Sequence, residues 1–171
     1  MFGTKKAAIS RLPDGKGKVV AFFEEACTLT DLFGICKLVY MTYVASMKEL
    51  MYRRKILPRL YTVVTGRSME YNQLMEYAHR VTTLEKAYNI REAGLGRKDD
   101  IPPYRFTSEP MPAGPSKGSV FETDIMLDEY YEAIGFDKKT GWPYQETLKD
   151  LGLQDVLAEL MERDVKLPTK G

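Results

Sequence analysis

The sequence predicts an all-α fold, and three observations carry that prediction. Apolar residues recur at three- and four-residue steps through successive segments, the period of a helix face. No alternating βαβ pattern, internal repeat or hairpin signal stands out. The long aperiodic stretch, residues 94–122, holds Pro102, Pro103, Pro110, Pro112 and Pro115, whose missing N–H groups argue against a central strand. At 171 residues the chain suits one helical domain spanning residues 1–171, large enough to bury a core without disulfides or structural metals.

Taken in order, residues 1–17 read as a polar, loose N-terminal segment that includes Gly15 and Gly17. From Lys18 to Thr28, Val19, Val20, Phe22, Phe23 and Ala26 give a helix face. The pattern then breaks at "DLFGIC", Asp31 to Cys36, where Gly34 permits a tight turn or a positive φ. Lys37 to Arg54 reads as a second helix, with Leu38, Tyr40, Met41, Val44, Met47 and Met51 on one face. Pro58 interrupts or restarts it, and a segment from Arg59 to Thr65 ends at Gly66 as a C-cap. Ser68 is a good N-cap for the longest helix, with Glu70 near its positive end. Its stripe is Leu74, Tyr77, Ala78, Val81, Leu84, Ala87 and Tyr88, closed by Gly94 and Gly96.

After the irregular arm, helicity returns at Asp124, with Met126, Leu127, Tyr130, Tyr131 and Ile134 on one face and Gly135 as the stop. Tyr144 to Leu151 is a short helix ended by Gly152, and Gln154 to Glu162 carries Val156, Leu157, Leu160 and Met161 inward.

Composition narrows the function. Lys and Arg number 25 against 24 Asp and Glu, which argues against nucleic acid; the cluster Arg53, Arg54, Lys55 and Arg59 is explained by solvated helix surface. The apolar run Val39 to Val44 is far shorter than the ~20 residues of a membrane span. Two cysteines make no disulfide framework and no secretory signal is evident, so a reducing cytoplasm is expected. His79, the sole histidine, reads as a surface or partly buried helix residue, and no histidine triad can be built. Neither G-x-x-x-x-G-K-(S/T) nor a G-x-G-x-x-G turn is present. Asp99 and Asp100 follow Arg97 and Lys98 and resemble a turn or salt-bridge cluster rather than an acid/base pair.

Cys27, in an apolar helical segment, reads as a buried structural thiol. Cys36 has a different setting. Asp31 offers carboxylate acceptors to a ligand bearing N–H groups, and a thiolate at Cys36 suits iron or zinc. On these residues alone a packed thiol and a ligand both stay open. A zinc site on Cys27 and Cys36 lacks further Cys or His ligands.

A chain-long resemblance bears on that choice. "DLFGIC" followed by Lys37 resembles the D-x-x-G-(L/I)-C motif in the last domain of the aldehyde ferredoxin oxidoreductase family, the tungsten-pterin enzymes. "LEKAYNIREAGLGRKDDIPPYRF", Leu84 to Phe106, is similar to the family's N-x-R-E-G stretch followed by R-x-D-D-x-(L/I)-P-x-R. "GPSKG", Gly114 to Gly118, follows, then "MLDEYYEAIGFDKKTGWP", Met126 to Pro143, and "LKDLGLQDV", Leu148 to Val156, like the family's closing helix. The matches keep their order over residues 18–160. Two departures are Ala93, where the family often has Gly directly after R-E, and Phe136 in place of a common Trp.

The resemblance implies the C-terminal helical domain of such an enzyme, with a long Pro/Gly-rich irregular arm. Tungsten, in preference to molybdenum, is held there by the dithiolenes of two pterins beside a 4Fe-4S cluster. Three cluster cysteines belong to a C-x-x-C-x-x-x-C region and the fourth would be Cys36. Asp31 would bind the amino-pyrimidine edge of one pterin, with the Ile35 carbonyl adding to that contact. The complete enzyme would oxidise an aldehyde to a carboxylic acid and pass electrons to ferredoxin. The N-terminal pterin-binding domain, the C-x-x-C-x-x-x-C region and the acid/base groups are not among these residues.

The chain is therefore expected to be a fragment, a separately produced domain, a truncated gene or one subunit of a split enzyme. Alone it would hold no cofactor, supply no catalytic residue and show no oxidoreductase activity. Its partners would be the remaining domains and ferredoxin, not nucleic acid or membrane. Two alternatives accompany this reading. One is a benzoyl-CoA-reductase-like member of the same family; the other is a free-standing helical assembly module without a redox role.

Overall fold

The computed structural model describes residues 5–9, 12–38 and 47–171, with side chains from residue 54 onward in the last stretch. After a short 3-10 turn, Lys5–Ala8, the described residues form seven α-helices. These are α1 (Lys16–Leu32), α2 (Met47–Thr65), α3 (Tyr71–Ala93), α4 (Tyr104–Ser108), α5 (Thr123–Ile134), α6 (Gln145–Asp150) and α7 (Gln154–Glu162). No strand occurs among them, and Phe136 and Pro143 make an isolated antiparallel bridge. The all-α expectation is met. No helix among the described residues is long and apolar enough to cross a membrane.

The chain divides into two compact units, Met1–Phe23 with Thr83–Gly171, and Glu24–Thr82, the divisions falling within α1 and α3. The Glu24–Thr82 unit buries Ala26 and Leu29 of α1, Leu57 of α2, and Tyr71, Leu74 and Ala78 of α3. Each large apolar side chain removed from water there contributes about 1.5–3 kcal/mol. The other unit holds two clusters, one around Leu148, Leu157 and Leu160, the other around Ala21, Tyr131, Ile134 and Phe136.

Several helices differ from expectation for identifiable reasons. The first helix begins earlier, at Lys16, because the Glu129 carboxylate satisfies its open N-terminus. The N–H groups of Gly15 and Gly17 donate to its two oxygens at 2.7 and 3.2 Å, where the helix dipole also favours an anion. Gly17 is required for that approach, since a Cβ there would sit 2.3 Å from the Met126 carbonyl oxygen.

Helix α2 runs through Pro58 rather than breaking there. The proline forfeits one ladder bond, while Leu57 is buried beside it and the Thr62 hydroxyl donates to the Pro58 carbonyl at 2.9 Å. Of its expected face, Tyr40, Met41 and Val44 lie outside the described residues. Gly66, in the left-handed region at φ +71°, closes it as expected.

Helix α3 begins at Tyr71, not directly after Ser68. The Glu70 N–H donates to the Gln73 side-chain carbonyl at 2.8 Å, so the flanking residue is Glu70 and the cap reaches back from within the helix. Its buried face is Tyr71, Leu74, Ala78, Thr83, Ala87 and Ile90, whereas Tyr77, Leu84 and Tyr88 are exposed. Leu74, Ala78 and Ala87 of the expected stripe are buried, but Tyr71, Thr83 and Ile90 join them in place of the larger Tyr77, Leu84 and Tyr88. In α7, Leu157 and Leu160 point inward as expected, but Met161 is exposed.

The irregular arm is tied to itself by backbone bonds. Met111 N–H donates to Ser119 O (3.0 Å), Gly118 N–H to Met111 O (2.9 Å) and Phe121 N–H to Phe106 O (2.9 Å). Its start is anchored by ions. Arg97 donates to Asp128 at 2.6 Å and Asp124 at 2.9 Å, with its guanidinium 5.6 Å from the Tyr131 ring centroid. Asp100 accepts from the Tyr131 hydroxyl at 2.6 Å and from Lys86 at 2.8 Å, and Asp99 accepts from the Gly96 N–H at 2.9 Å. The two aspartates thus form the turn and ion cluster that their sequence context suggested.

Candidate functional site

The DLFGIC stretch is a helix end followed by a reversal of the chain. Asp31 and Leu32 belong to the last turn of α1. Gly34, at φ +65°, occupies the left-handed position that ends the helix. Its N–H donates to the Asp31 carbonyl at 3.0 Å, and the Ile35 N–H donates to the Thr30 carbonyl at 2.9 Å. This pair of bonds is the Schellman arrangement, which satisfies the carbonyls a helix leaves open at its C-terminus. The accompanying apolar contact is present, because Phe33 and Ile35 pack against the core of the Glu24–Thr82 unit.

Burial alternates through the motif. Phe33 and Ile35 are half-buried, while Asp31, Leu32, Gly34, Cys36, Lys37 and Leu38 are exposed. The side chains expected to meet cofactors thus face away from the core, and Ile35 anchors the turn by its side chain and N–H. Cys27 and Cys36 are not disulfide-linked; Cys27 is half-buried in α1 rather than fully enclosed. Asp31 Oδ2 lies 2.6 Å from Lys37 Nζ, an ion pair that spans the reversal. Lys37 had no assigned role in the sequence. Its signal was a lysine six residues after an aspartate, across a helix-ending glycine.

Leu32 and Phe33 also form part of the wall of an open cleft of about 490 Å3 in the same unit. Leu60, Tyr61 and Val64 of α2 and Leu74 and Tyr77 of α3 line it, so it is almost wholly apolar. His79 is half-buried on α3, with Nδ1 3.0 Å from Glu25 Oε1 but not in hydrogen-bonding geometry. Arg54, Lys55 and Arg59 are exposed on α2, as solvated helix surface requires.

The donor set fits the cofactors the motif implies, in part. An outward thiol suits iron, and an outward carboxylate suits the paired N–H groups of an amino-pyrimidine. The chain provides only two cysteines, and no group of three His, Cys, Asp or Glu side chains converges among the described residues. An iron–sulfur cluster at Cys36 would therefore take its remaining ligands from other polypeptide.

Comparison with known proteins identifies relatives of the chain. The family model for aldehyde ferredoxin oxidoreductase, domains 2 and 3, matches residues 3–153. The tungsten-containing aldehyde ferredoxin oxidoreductase of Pyrococcus abyssi is 31% identical over 147 residues, covering 85% of this chain and 22% of the relative. That of Pyrococcus horikoshii is 29% identical over 147 residues with the same coverage. The chain thus spans about 22% of the length of these curated relatives. Among solved structures, the active-site complex BamBC of benzoyl coenzyme A reductase with 1,5-dienoyl-CoA superposes at a TM-score of 0.52. It is 31% identical, over 64% of this chain and 15% of that one. On the extent of the family match, the chain belongs to the aldehyde ferredoxin oxidoreductase family.

Proposed function

We propose that this chain is the C-terminal helical part of a tungsten-pterin, iron–sulfur oxidoreductase, and that it supplies one wall of the cofactor site. Its own residues have three tasks. The Asp31 carboxylate accepts hydrogen bonds from the amino-pyrimidine edge of a pterin, and the Ile35 carbonyl adds an acceptor. The Cys36 thiolate ligates one iron of a 4Fe-4S cluster. Gly34 sets the reversal that holds carboxylate and thiol on one short stretch of chain, so that a pterin and a cluster bound there are close enough for electron transfer. When bound, the tungsten-bis-pterin group supplies two-electron oxidation and the cluster one-electron transfer.

The reaction proposed for the whole enzyme is aldehyde plus water to carboxylic acid, releasing two electrons and two protons, with ferredoxin accepting the electrons one at a time. The remaining domains complete the site, and the isolated chain has no oxidoreductase activity. A reducing cytoplasm suits an enzyme that needs an exposed cysteine kept as a thiolate ligand.

The observation that carries this reading is the outward presentation of Asp31 and Cys36 on a turn anchored to the core by Phe33 and Ile35. The test is co-production with a polypeptide bearing the pterin-binding domain and the C-x-x-C-x-x-x-C region. Iron, tungsten and the cluster spectrum are then compared in wild type and Cys36→Ala. Loss of the cluster spectrum in the variant is expected; unchanged iron content and spectrum would sink the ligand role.

The likeness to a benzoyl coenzyme A reductase complex favours a second reading, in which the substrate is an aryl-CoA thioester. Assaying the assembled enzyme with an aldehyde and with benzoyl-CoA separates the two.

A further inference from the structure

We propose that Lys37 is a positioning residue of this cofactor site. Its ammonium holds the Asp31 carboxylate in place for the pterin edge and offsets negative charge beside Cys36. The proposal rests on the roles assigned above to Asp31 and Cys36.

The motif gathers negative groups at one point: the Asp31 carboxylate, a ligating Cys36 thiolate, and the C-terminal end of α1, which carries the negative pole of the helix dipole. Cations are favoured at such an end, and Lys37 is the one lysine or arginine between Asp31 and Leu38. The Gly34 reversal brings it back over the last helical turn, 2.6 Å from Asp31 Oδ2.

The ion pair itself adds little stability. Both side chains are more than half exposed, at 52% and 58%, where an ion pair contributes little. The turn is already closed by the Gly34 and Ile35 backbone bonds and by apolar packing. What the contact does is fix one carboxylate oxygen, leaving Oδ1 for a second partner in a defined orientation. A preset acceptor loses less rotamer freedom when its ligand arrives. The same ammonium, one residue from the cluster ligand, favours the more negative, reduced state of a cluster bound there.

The experiment uses the enzyme assembled with its remaining domains, comparing wild type, Lys37→Met and Lys37→Arg. Pterin and tungsten per assembly are measured together with the cluster midpoint potential by redox titration. Lys37→Met is expected to keep its iron, lose pterin several-fold and shift the midpoint to more negative potential. Lys37→Arg is expected to restore both. Wild-type pterin content and potential in Lys37→Met would overturn the proposal, leaving a plain surface ion pair. Unfolding of the isolated Lys37→Met chain, read by circular dichroism, would overturn it too, by making the role structural. Asp31→Asn and Cys36→Ala in the same assembly separate the failures. If they leave pterin and iron unchanged, the cofactor reading itself falls; if they remove them while Lys37→Met has no effect, only the role of Lys37 falls.

Discussion

Arg97, with only 18% of its side chain exposed, donates to Asp124 and Asp128 and lies over the Tyr131 ring, which bonds Asp100 in turn. Asp31 and Lys37 make a contact just as short, yet both stand in solvent and touch across a single turn. Distance therefore does not separate the two arrangements; burial and connectivity do. The Arg97 cluster joins the start of the arm to α5 and, through Asp100 and Lys86, to α3. Arg97 itself is enclosed although Asp124 reaches solvent, and the contacts tie separate elements together. The Asp31–Lys37 pair spans a turn that the Gly34 and Ile35 backbone bonds already close. A charge left outward at little structural gain is available to a partner, and this makes the turn the candidate site and the Arg97 cluster a structural one.

The comparison breaks first if Arg97 is dispensable. Burial alone would disfavour its charged form, but hydrogen bonds to Asp124 and Asp128 outweigh that and hold the guanidinium more firmly protonated than usual. Arg97→Ala would leave Tyr131 uncovered and two carboxylates without their partner. A charge-assisted hydrogen bond is worth about 1.5–3 kcal/mol, but the 89% exposed Asp124 adds little, so the bond to Asp128 and the cover of Tyr131 dominate and a loss of about 2 kcal/mol in urea unfolding is expected. A loss under about 0.5 kcal/mol would put the cluster in the same class as an exposed pair.

Tyr131→Phe is the next largest. It removes the hydroxyl bond to Asp100 while keeping the ring, at a cost of about 1–2 kcal/mol near neutral pH. Burial, and then the bond to Asp100, push the Tyr131 phenol well above the ordinary tyrosine range. The sign follows from proton counting. Below about pH 10 the phenol is protonated in both folded and unfolded chain and its contribution is complete. Above that the unfolded chain releases the proton while the folded one retains it, so the contribution falls as pH rises towards the folded value. The wild-type advantage over Tyr131→Phe should therefore be smaller at pH 11 than at pH 8, by thermal melting. An advantage that grows with pH would show that the hydroxyl is not held by Asp100.

What the sequence revealed differs between these two regions. Helix existence was legible from period and glycine punctuation: Gly66, Gly94, Gly135 and Gly152 all stand in the left-handed region beside a helix end. Boundaries and faces were less so. Glu129 caps α1 from more than a hundred residues away, which no local pattern can signal. The stripe on α3 was chosen by what packs against it, and Pro58 was tolerated because Leu57 is anchored beside it. At the site, the residue types in DLFGIC left ligand and core cysteine open. The alternation of burial, with Ile35 inward and Cys36 outward, removes the core reading. The Lys37 contact needed the reversal itself, because residues six apart meet only once the chain has turned.

Gly34→Ala measures that reversal and should have the smallest effect of the three. Among the described residues no atom lies within 4 Å of the Cβ it would add, so crowding by them contributes nothing. What remains is the left-handed backbone at φ +65°, which costs a non-glycine residue about 1 kcal/mol. Asparagine tolerates that region better, so Gly34→Asn should recover part of the loss. Thermal melting of the isolated chain reads both. If the backbone bonds at Gly34 and Ile35 hold the turn, Gly34→Ala must destabilise it more than Lys37→Met does. The reverse order would mean that the ion pair holds the turn, and the contrast with the Arg97 cluster would be one of degree only.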